Sequence, residues 1–385
     1  MWGISAASSK DLSEAFNAEH MFGLIGWANI GLTLFFNIGS IFLEAHNVKF
    51  EYRLWANSIF MILGLVLVGS APTFWLLLIG LLFTGSSGSF GAVVLLTYMR
   101  RFNPTLTGAI TSGSGISAIY AYFLYIILHS TIGITSQHIY YVLLLPATLY
   151  IILWNLLKPL PTIKTTEGDS SNAYHFYEGE SPEGILSIIK RYLSTFLQRK
   201  VWPLCLLLGS TYFMQIMIVG KLVRDSNNLT LQEANDMMNN GGSTWSICHS
   251  FEVIGLVYSF GHLLGTTSLP LLSRFRYGIL LNAYPYTVVM SLCQWTIWMV
   301  NSRAHFLPLY LQYILIFITG LLAGLTYLLI MYKVHSTYNE REKEPVVILI
   351  DTTVTLFIIT TNAMTYLLDN TFMPPFDNRG CAPTR

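Results

Sequence analysis

The stretch LPLYLQYILIFITGLLAGLTYLLIMY, Leu307–Tyr332, holds 26 residues without one charged side chain and ends against Lys333. A helix rises 1.5 Å per residue, so about 20 apolar residues cross the roughly 30 Å of hydrocarbon in a bilayer, and this stretch is long enough to span one. Nine others read the same way: Phe22–Leu43, Leu54–Ser70, Thr73–Met99, Leu106–Leu128, Ile139–Leu157, Val201–Gly220, Phe251–Leu271, Gly278–Val300 and Val346–Leu368. The blocks are continuous rather than alternating, which excludes an outer-membrane barrel. Five lie on each side of the polar residues 158–200, the layout of a two-repeat transporter.

Composition agrees. Of 385 residues 53% are hydrophobic and 11% charged, against roughly 25% charged in a soluble domain, and mean hydropathy is +0.53. The expected fold is an all-α polytopic membrane protein with about ten transmembrane helices. It divides into an N-terminal segment (1–21), a first helical bundle (22–157), a cytoplasmic loop (158–200), a second bundle (201–368) and a C-terminal tail (369–385). Residues 1–21 lack a basic stretch leading into an apolar one, so no cleaved signal peptide is expected. A net charge of +1 gives no pull toward nucleic acid, and the bilayer is the first partner implied. Cys205, Cys248, Cys293 and Cys381 show no metal or CxxC spacing, so no metal or cofactor is expected. There is no P-loop, GxSxG or HExxH and no TVGYG-like filter, which argues against an enzyme and a potassium-type channel.

Orientation follows from the basic residues, which cytoplasmic loops retain. The alternate loops that include 158–200 carry 15 Lys and Arg, among them Arg100, Arg101, Arg274 and Arg276; the others carry 6, among them Lys221, Arg224 and Arg303. The first set is therefore expected in the cytoplasm, with both termini and the sequon Asn228-Leu229-Thr230 lumenal. Within 158–200, residues 165–182 are polar and read as disordered. Ile185, Ile188, Ile189, Tyr192, Phe196 and Leu197 recur at helical spacing beside four basic residues, as in an interfacial amphipathic helix. Trafficking proteins are candidate partners of this loop.

Candidate chemistry is sparse. Gly85-Ser86-Ser87-Gly88-Ser89-Phe90-Gly91 and Thr111-Ser112-Gly113-Ser114-Gly115 fit two uses, close helix packing or a polar binding wall, and Gly320 and Gly324 have the same GxxxG character. Gly85, Gly88 and Gly91 are expected on one helix face. Ionisable groups in hydrocarbon are functional candidates by default. His262 falls about 16 Å past Phe251, near the midplane, and reads either as a proton carrier or as a neutral, hydrogen-bonded histidine. Asp351 lies about 7 Å inside the cytoplasmic boundary, as a proton-coupling group or a helix-start carboxylate. Glu252 and Glu44, at segment ends, are expected to meet solvent. Ser86, Ser87, Gly88, Ser112, Ser114, Tyr258, His262 and Tyr327 are the candidate cavity residues.

These runs resemble the battenin family of lysosomal membrane proteins. Ser86-Ser87-Gly88 resembles the family's SSGLGE run and Ser112-Gly113-Ser114-Gly115 its SSGTGG run. Tyr258-Ser259-Phe260-Gly261, followed by Ser268 and Arg274-Phe275-Arg276, is similar to YQxGVFxSRSS. Gly320 to Tyr327 resembles GLLGGAAY, and Arg341-Glu342 before Asp351-Thr352 resembles RE before SDT. The resemblance covers most of the chain from about Trp55. It departs where family charges are replaced near Gly91, at Thr211 beside Tyr212 and at Thr266, and the family's first helix has no evident counterpart. It implies a major-facilitator-like two-bundle fold, a lysosomal or vacuolar membrane, transport of small polar metabolites with glycerophosphodiesters as the family association, and a part in lysosomal pH and lipid homeostasis. A non-transporting scaffold for endolysosomal trafficking, or a facilitator of another lineage, are the alternatives. The topology predicts that a glycosylation reporter at Asn228 is modified while a protease cuts at Arg100/Arg101 only from the cytosolic side; both on one side would overturn it.

Overall fold

Hydrocarbon cannot hydrogen-bond a peptide group, so a membrane segment must satisfy its backbone internally, which a helix does. The computed structural model describes residues 2–36, 50–99, 107–157, 200–226, 250–268, 283–338 and 340–371, with isolated positions at 39, 43, 48 and 190 and a short piece at 193–197. Its elements are α1 (Trp2–Ala15), α2 (Phe22–Ile30), α3 (Phe50–Gly69), α4 (Phe74–Met99), α5 (Thr107–Tyr125), α6 (Ser136–Val142), α7 (Leu144–Leu157), α8 (Trp202–Met217), α9 (Val223–Ser226), α10 (Ser250–Thr267), α11 (Tyr284–Ala304), α12 (Leu309–Thr337) and α13 (Glu340–Asn370). Wider π turns extend α5 through Ile126–Thr131 and join α8 to α9 through Ile218–Leu222.

Each of the ten apolar segments overlaps one of these helices or a run of two among the described residues. Six helical stretches are long and apolar enough to cross a membrane: Glu51–Gly69, Phe74–Gly91, Ser136–Leu156, Trp202–Ser226, Leu309–Val334 and Val346–Asn370; Phe22–Phe36 and Ile116–Thr131 are shorter. The chain is an all-α polytopic membrane protein. Its surface is that of a body in lipid: Leu145, Tyr286, Phe35 and Leu156 are each about two-thirds or more exposed. Polar side chains turn inward instead. Thr211, Gln215, Asn301, Thr319, Thr326 and Thr361 are buried.

Buried hydroxyls are satisfied mostly along their own helices. Thr211, Thr326 and Thr361 donate to the carbonyls of Leu207, Leu322 and Phe357 at 2.9, 2.7 and 2.8 Å. Others cross between helices: Thr326 to Thr287 at 2.7 Å and Thr319 to Gln294 at 3.2 Å tie α12 to α11, and Thr361 reaches the Phe213 carbonyl at 3.3 Å. These pairs set the relative depth of their helices. So do Gln137 with the Ala71 carbonyl (2.8 Å) and Asn370 with the His20 carbonyl (3.0 Å). Residues such as His20, Lys221, His305 and Asp369 therefore share one end of the bundle, called the terminal end below; the other is the loop end.

Helices α10 and α12 approach closely along their length. A Cβ at Gly261 would lie 2.2 Å from the Phe317 carbonyl oxygen, and at Gly265 2.5 Å from that of Leu321. In return, Gly320 and Gly324 would meet the Tyr258 and His262 carbonyl oxygens at 2.2 and 2.4 Å. Two GxxxG motifs thus face each other, and Gly261/Gly265 is the half the sequence reading passed over. Glycine also sets α3 on α4, where Gly64 meets the Thr84 backbone nitrogen (2.6 Å) and Gly80 that of Val68 (2.8 Å).

Three expectations change. Gly85, Gly88 and Gly91 do not act as one face: three residues turn a helix by 300°, so the positions fan out. Gly85 abuts the backbone of Asn29 in α2, Gly91 the side chain of Asn57 in α3, and Gly88 looks into open space. Residues 1–21 contain a helix, α1, which buries Ile4, Ala7 and Leu12 with Ser5, Ser8, Ser9 and Ser13. Asp369, assigned to the tail, is the penultimate residue of α13. The loop from 158 to 189, with the first part of its amphipathic helix, and the Arg100/Arg101 and Arg274/Arg276 pairs lie outside the described residues.

Gly320→Ala is expected to lower stability by roughly 1–3 kcal/mol, because the new methyl meets backbone that cannot swing away. Gly113→Ala, where a Cβ meets nothing within 4 Å, is expected to be neutral or stabilising by up to about 1 kcal/mol. Thermal unfolding in detergent separates the two.

Candidate functional site

The α10–α12 contact places the first site residues, since the carbonyls pressed on Gly320 and Gly324 belong to Tyr258 and His262. One turn apart, these two rings lie 6.1 Å between centroids and are tilted by 31°. Tyr258 is buried and His262 half-buried. Tyr327 sits on α12 seven residues beyond Gly320, hence on nearly the same side of that helix. Tyr212 of α8 lies within electrostatic range of Tyr327, Tyr258 and Asp351, and Tyr327 within range of Asp351.

The first half contributes Tyr122 from α5. Its ring packs on Gly255, where a Cβ would come within 2.3 Å of Cε1, and it lies within electrostatic range of Tyr258. Gly255 and Tyr258 are three residues apart and are neighbours on the surface of α10. Four tyrosines, one histidine and one carboxylate from five helices thus form a polar, aromatic centre. Tyr122 was not among the sequence candidates; only the Gly255 contact reveals it.

The small-residue runs are arranged differently. Ser86 donates to the Leu82 carbonyl at 2.5 Å and Ser87 to that of Thr84 at 2.7 Å, and both are buried, so their hydrogens point along α4. Gly88 is exposed. Ser112 and Ser114 fall on α5, but their side chains lie outside the described residues, as does Asn228 altogether. Asp351 is exposed near the loop end of α13.

A second polar group lies toward the terminal end. Tyr125 donates to Asp11 Oδ2, which is also 3.4 Å from His129 Nε2, and the Tyr125 hydroxyl is 2.8 Å from Ser136 Oγ. Glu252 is 1% exposed, not at a solvent-facing boundary as expected, and Asp11, Lys10 and Glu14 of α1 lie within electrostatic range of it. Among the described residues, no three or more His, Cys, Asp or Glu side chains converge as metal ligands. An open groove of about 530 Å³ between α8, α11 and α13 is lined by Phe213, Met214, Leu292, Trp295, Leu356 and Phe357 with Ser210 and Thr360, and contains none of the candidate residues.

Lys221 and Arg224, counted as loop charges, are buried instead. Lys221 lies 2.5 Å from Asp369 and 2.9 Å from Asp225; Arg224 lies 2.6 Å from Asp369 and 3.3 Å from Asp225. Two cations and two carboxylates make this cluster neutral, which is what allows it to sit in a low-dielectric interior. Asp369→Asn would leave two buried cations facing one carboxylate, and is expected to cost roughly 3–5 kcal/mol. Asp369→Glu should restore most of that, both read by thermal unfolding of the purified protein.

Similarity to known proteins runs along most of the chain. A model of the family described as CLN3 protein matches residues 5–184, beginning inside α1 and therefore upstream of the first apolar segment. Across 95% of this chain and 90% of the relative, the sequence is 24% identical to Battenin of Dictyostelium discoideum. The chain is thus similar to the CLN3 protein family over residues 5–184 and to a battenin over nearly its whole length.

Proposed function

We propose that this protein is a carrier, without enzymatic activity, that moves small polar metabolites across a lysosomal or vacuolar membrane by alternating access. The observation that carries the reading is the centre itself: Tyr122 from the first half lies beside Tyr258, with Tyr212, His262, Tyr327 and Asp351 from the second. Buried tyrosines offer an apolar ring and a hydroxyl that donates or accepts, which suits a small molecule with several polar groups. Inward-facing ionisable groups in a membrane bundle mark substrate or ion pathways. Two helical halves packed around such a centre can rock about it and expose it to each side in turn.

The resemblance suggests glycerophosphodiesters as first substrates to try, and a part in lysosomal pH and lipid homeostasis through their export. His262 and Asp351 are the proposed proton-coupling groups, one at the midplane and one near the loop end. Ser86, Ser87 and Gly88 take a supporting place, lining the first half with packing surface rather than free hydroxyl hydrogens.

The test is uptake of labelled glycerophosphodiesters into proteoliposomes under an imposed pH gradient. Tyr258→Ala is expected to reduce the initial rate at least tenfold and Tyr258→Phe to retain part of it. His262→Ala should remove the response to the gradient. Uptake equal to that of protein-free vesicles would reject the carrier for this substrate class, and an unchanged gradient response would reject His262 as the coupling group. Deleting residues 165–182 should leave the rate intact; loss of cellular function with flux retained would favour a scaffold.

A further inference from the structure

Among the described residues, several contacts between the two halves lie at the terminal end. Arg224, held by Asp369 and Asp225, lies 4.4 Å from the centroid of the Phe22 ring, and Phe22 meets Phe251 edge to face at 6.4 Å. Next along α2, a Cβ at Gly23 would lie 2.7 Å from the Asn362 carbonyl oxygen, and at Gly26 2.5 Å from Asn362 Oδ1, so α2 and α13 touch closely. Asn370 then donates to the His20 carbonyl at 3.0 Å. Tyr122 on Gly255 closes the α5–α10 side. These contacts come from the beginnings of α2 and α10, the last turns of α13 and the last two turns of α5. Nearer the loop end, among the described residues, Gly88 and Gly113 meet nothing within 4 Å, and Asp351 is exposed.

We propose that this structure is the state closed at the terminal end, and that Arg224 seated on Phe22 is the latch that holds it closed. The inference rests on the alternating-access reading and adds the state and its fastening. The charges suit the part. All four ionic partners belong to the second half, so when the halves separate only the ring of Phe22 leaves the guanidinium, and no carboxylate or ammonium is stranded without its counter-charge. An aromatic face over a cation is a weak and reversible contact, whereas an ion pair divided between the halves would have to be broken in a poorly hydrated place at every cycle.

The experiment is a distance measurement that needs no substrate. Spin labels are placed at the exposed positions Ile132 and Phe306, which flank α5 and α12 at the terminal end, in a chain lacking Cys248, Cys293 and Cys381, and read by pulsed electron paramagnetic resonance in nanodiscs. The parent should give one dominant short distance. Phe22→Leu, which keeps the apolar volume and removes the ring, should raise the long-distance population at least threefold. Phe22→Trp, with a stronger aromatic face, should keep or sharpen the short one. A parent dominated by the long distance, or a Phe22→Leu distribution identical to the parent's, would overturn the latch. Because no metabolite is present, loss of uptake with the predicted distance change rejects the carrier and not the latch, and the reverse pattern rejects the latch alone.

Discussion

Backbone against backbone, at four glycines, is the contact on which the centre of this protein depends. In water, helices associate because apolar faces leave solvent; in lipid that drive is absent, and close packing with interhelical hydrogen bonds takes its place. Gly261 and Gly265 on α10, with Gly320 and Gly324 on α12, bring main-chain atoms together so closely that a methyl on any of them would fall inside contact distance. The carbonyls involved are those of Tyr258 and His262. The packing motif and the candidate site are therefore one piece of structure, and the register between the helices sets where those two rings stand relative to Tyr327.

The contacts within each half differ in kind from those between halves. Within the second half, a neutral four-charge cluster and inter-helix hydroxyl bonds join α8, α9, α11, α12 and α13, and their partners cannot separate without leaving buried polar groups unsatisfied. Between halves, the described contacts include glycine against an aromatic ring or backbone, Phe22 on Phe251, one guanidinium on one ring and the hydrogen bond from Asn370 to the His20 carbonyl. For the proposed carrier, the two halves would have to move as two units against these contacts. That is the mechanical requirement of a carrier in which a fixed site is exposed alternately.

How much of this was legible in the sequence follows from which rules are strict. Hydrocarbon thickness is a hard length requirement, so the apolar stretches read directly as helices. Helix α1 escaped because its buried face is serine: Ser9 and Ser13 donate to carbonyls of their own helix at 2.8 and 2.7 Å, and Ser8 lies 3.0 Å from the Tyr140 hydroxyl, so burial there does not need hydropathy. Counting charges by loop misassigned Lys221 and Arg224 because their partner Asp369 is nearly 150 residues away, and a rule about single residues cannot see a neutral group. Tyr258, His262 and Tyr327 were picked out by depth and type. The directions of the Ser86 and Ser87 hydroxyls depend on rotamers, which sequence does not carry.

The places where the sequence departs from the family pattern are informative once their surroundings are known. Thr211 stands where the resemblance has an acid, and it is buried with its hydroxyl on the Leu207 carbonyl; Thr266, in place of an arginine, donates to the carbonyls of His262 and Leu263. Gly91, near another lost acid, packs on Asn57. Each of these replacements is self-satisfied or filled by a neighbour. The cations Lys221 and Arg224 are neutralised in their cluster, and Lys333 sits toward the loop end, 4.6 Å over the Tyr284 ring. For a carrier with this arrangement, the described centre would hold its substrate through neutral tyrosine and imidazole groups, with Asp351 nearby. Hydrogen bonds between neutral groups contribute about 1 kcal/mol each, against roughly 1.5–3 when one partner is charged. Such a site favours release as much as capture, which is the balance a carrier needs if neither side of the membrane is to retain the load.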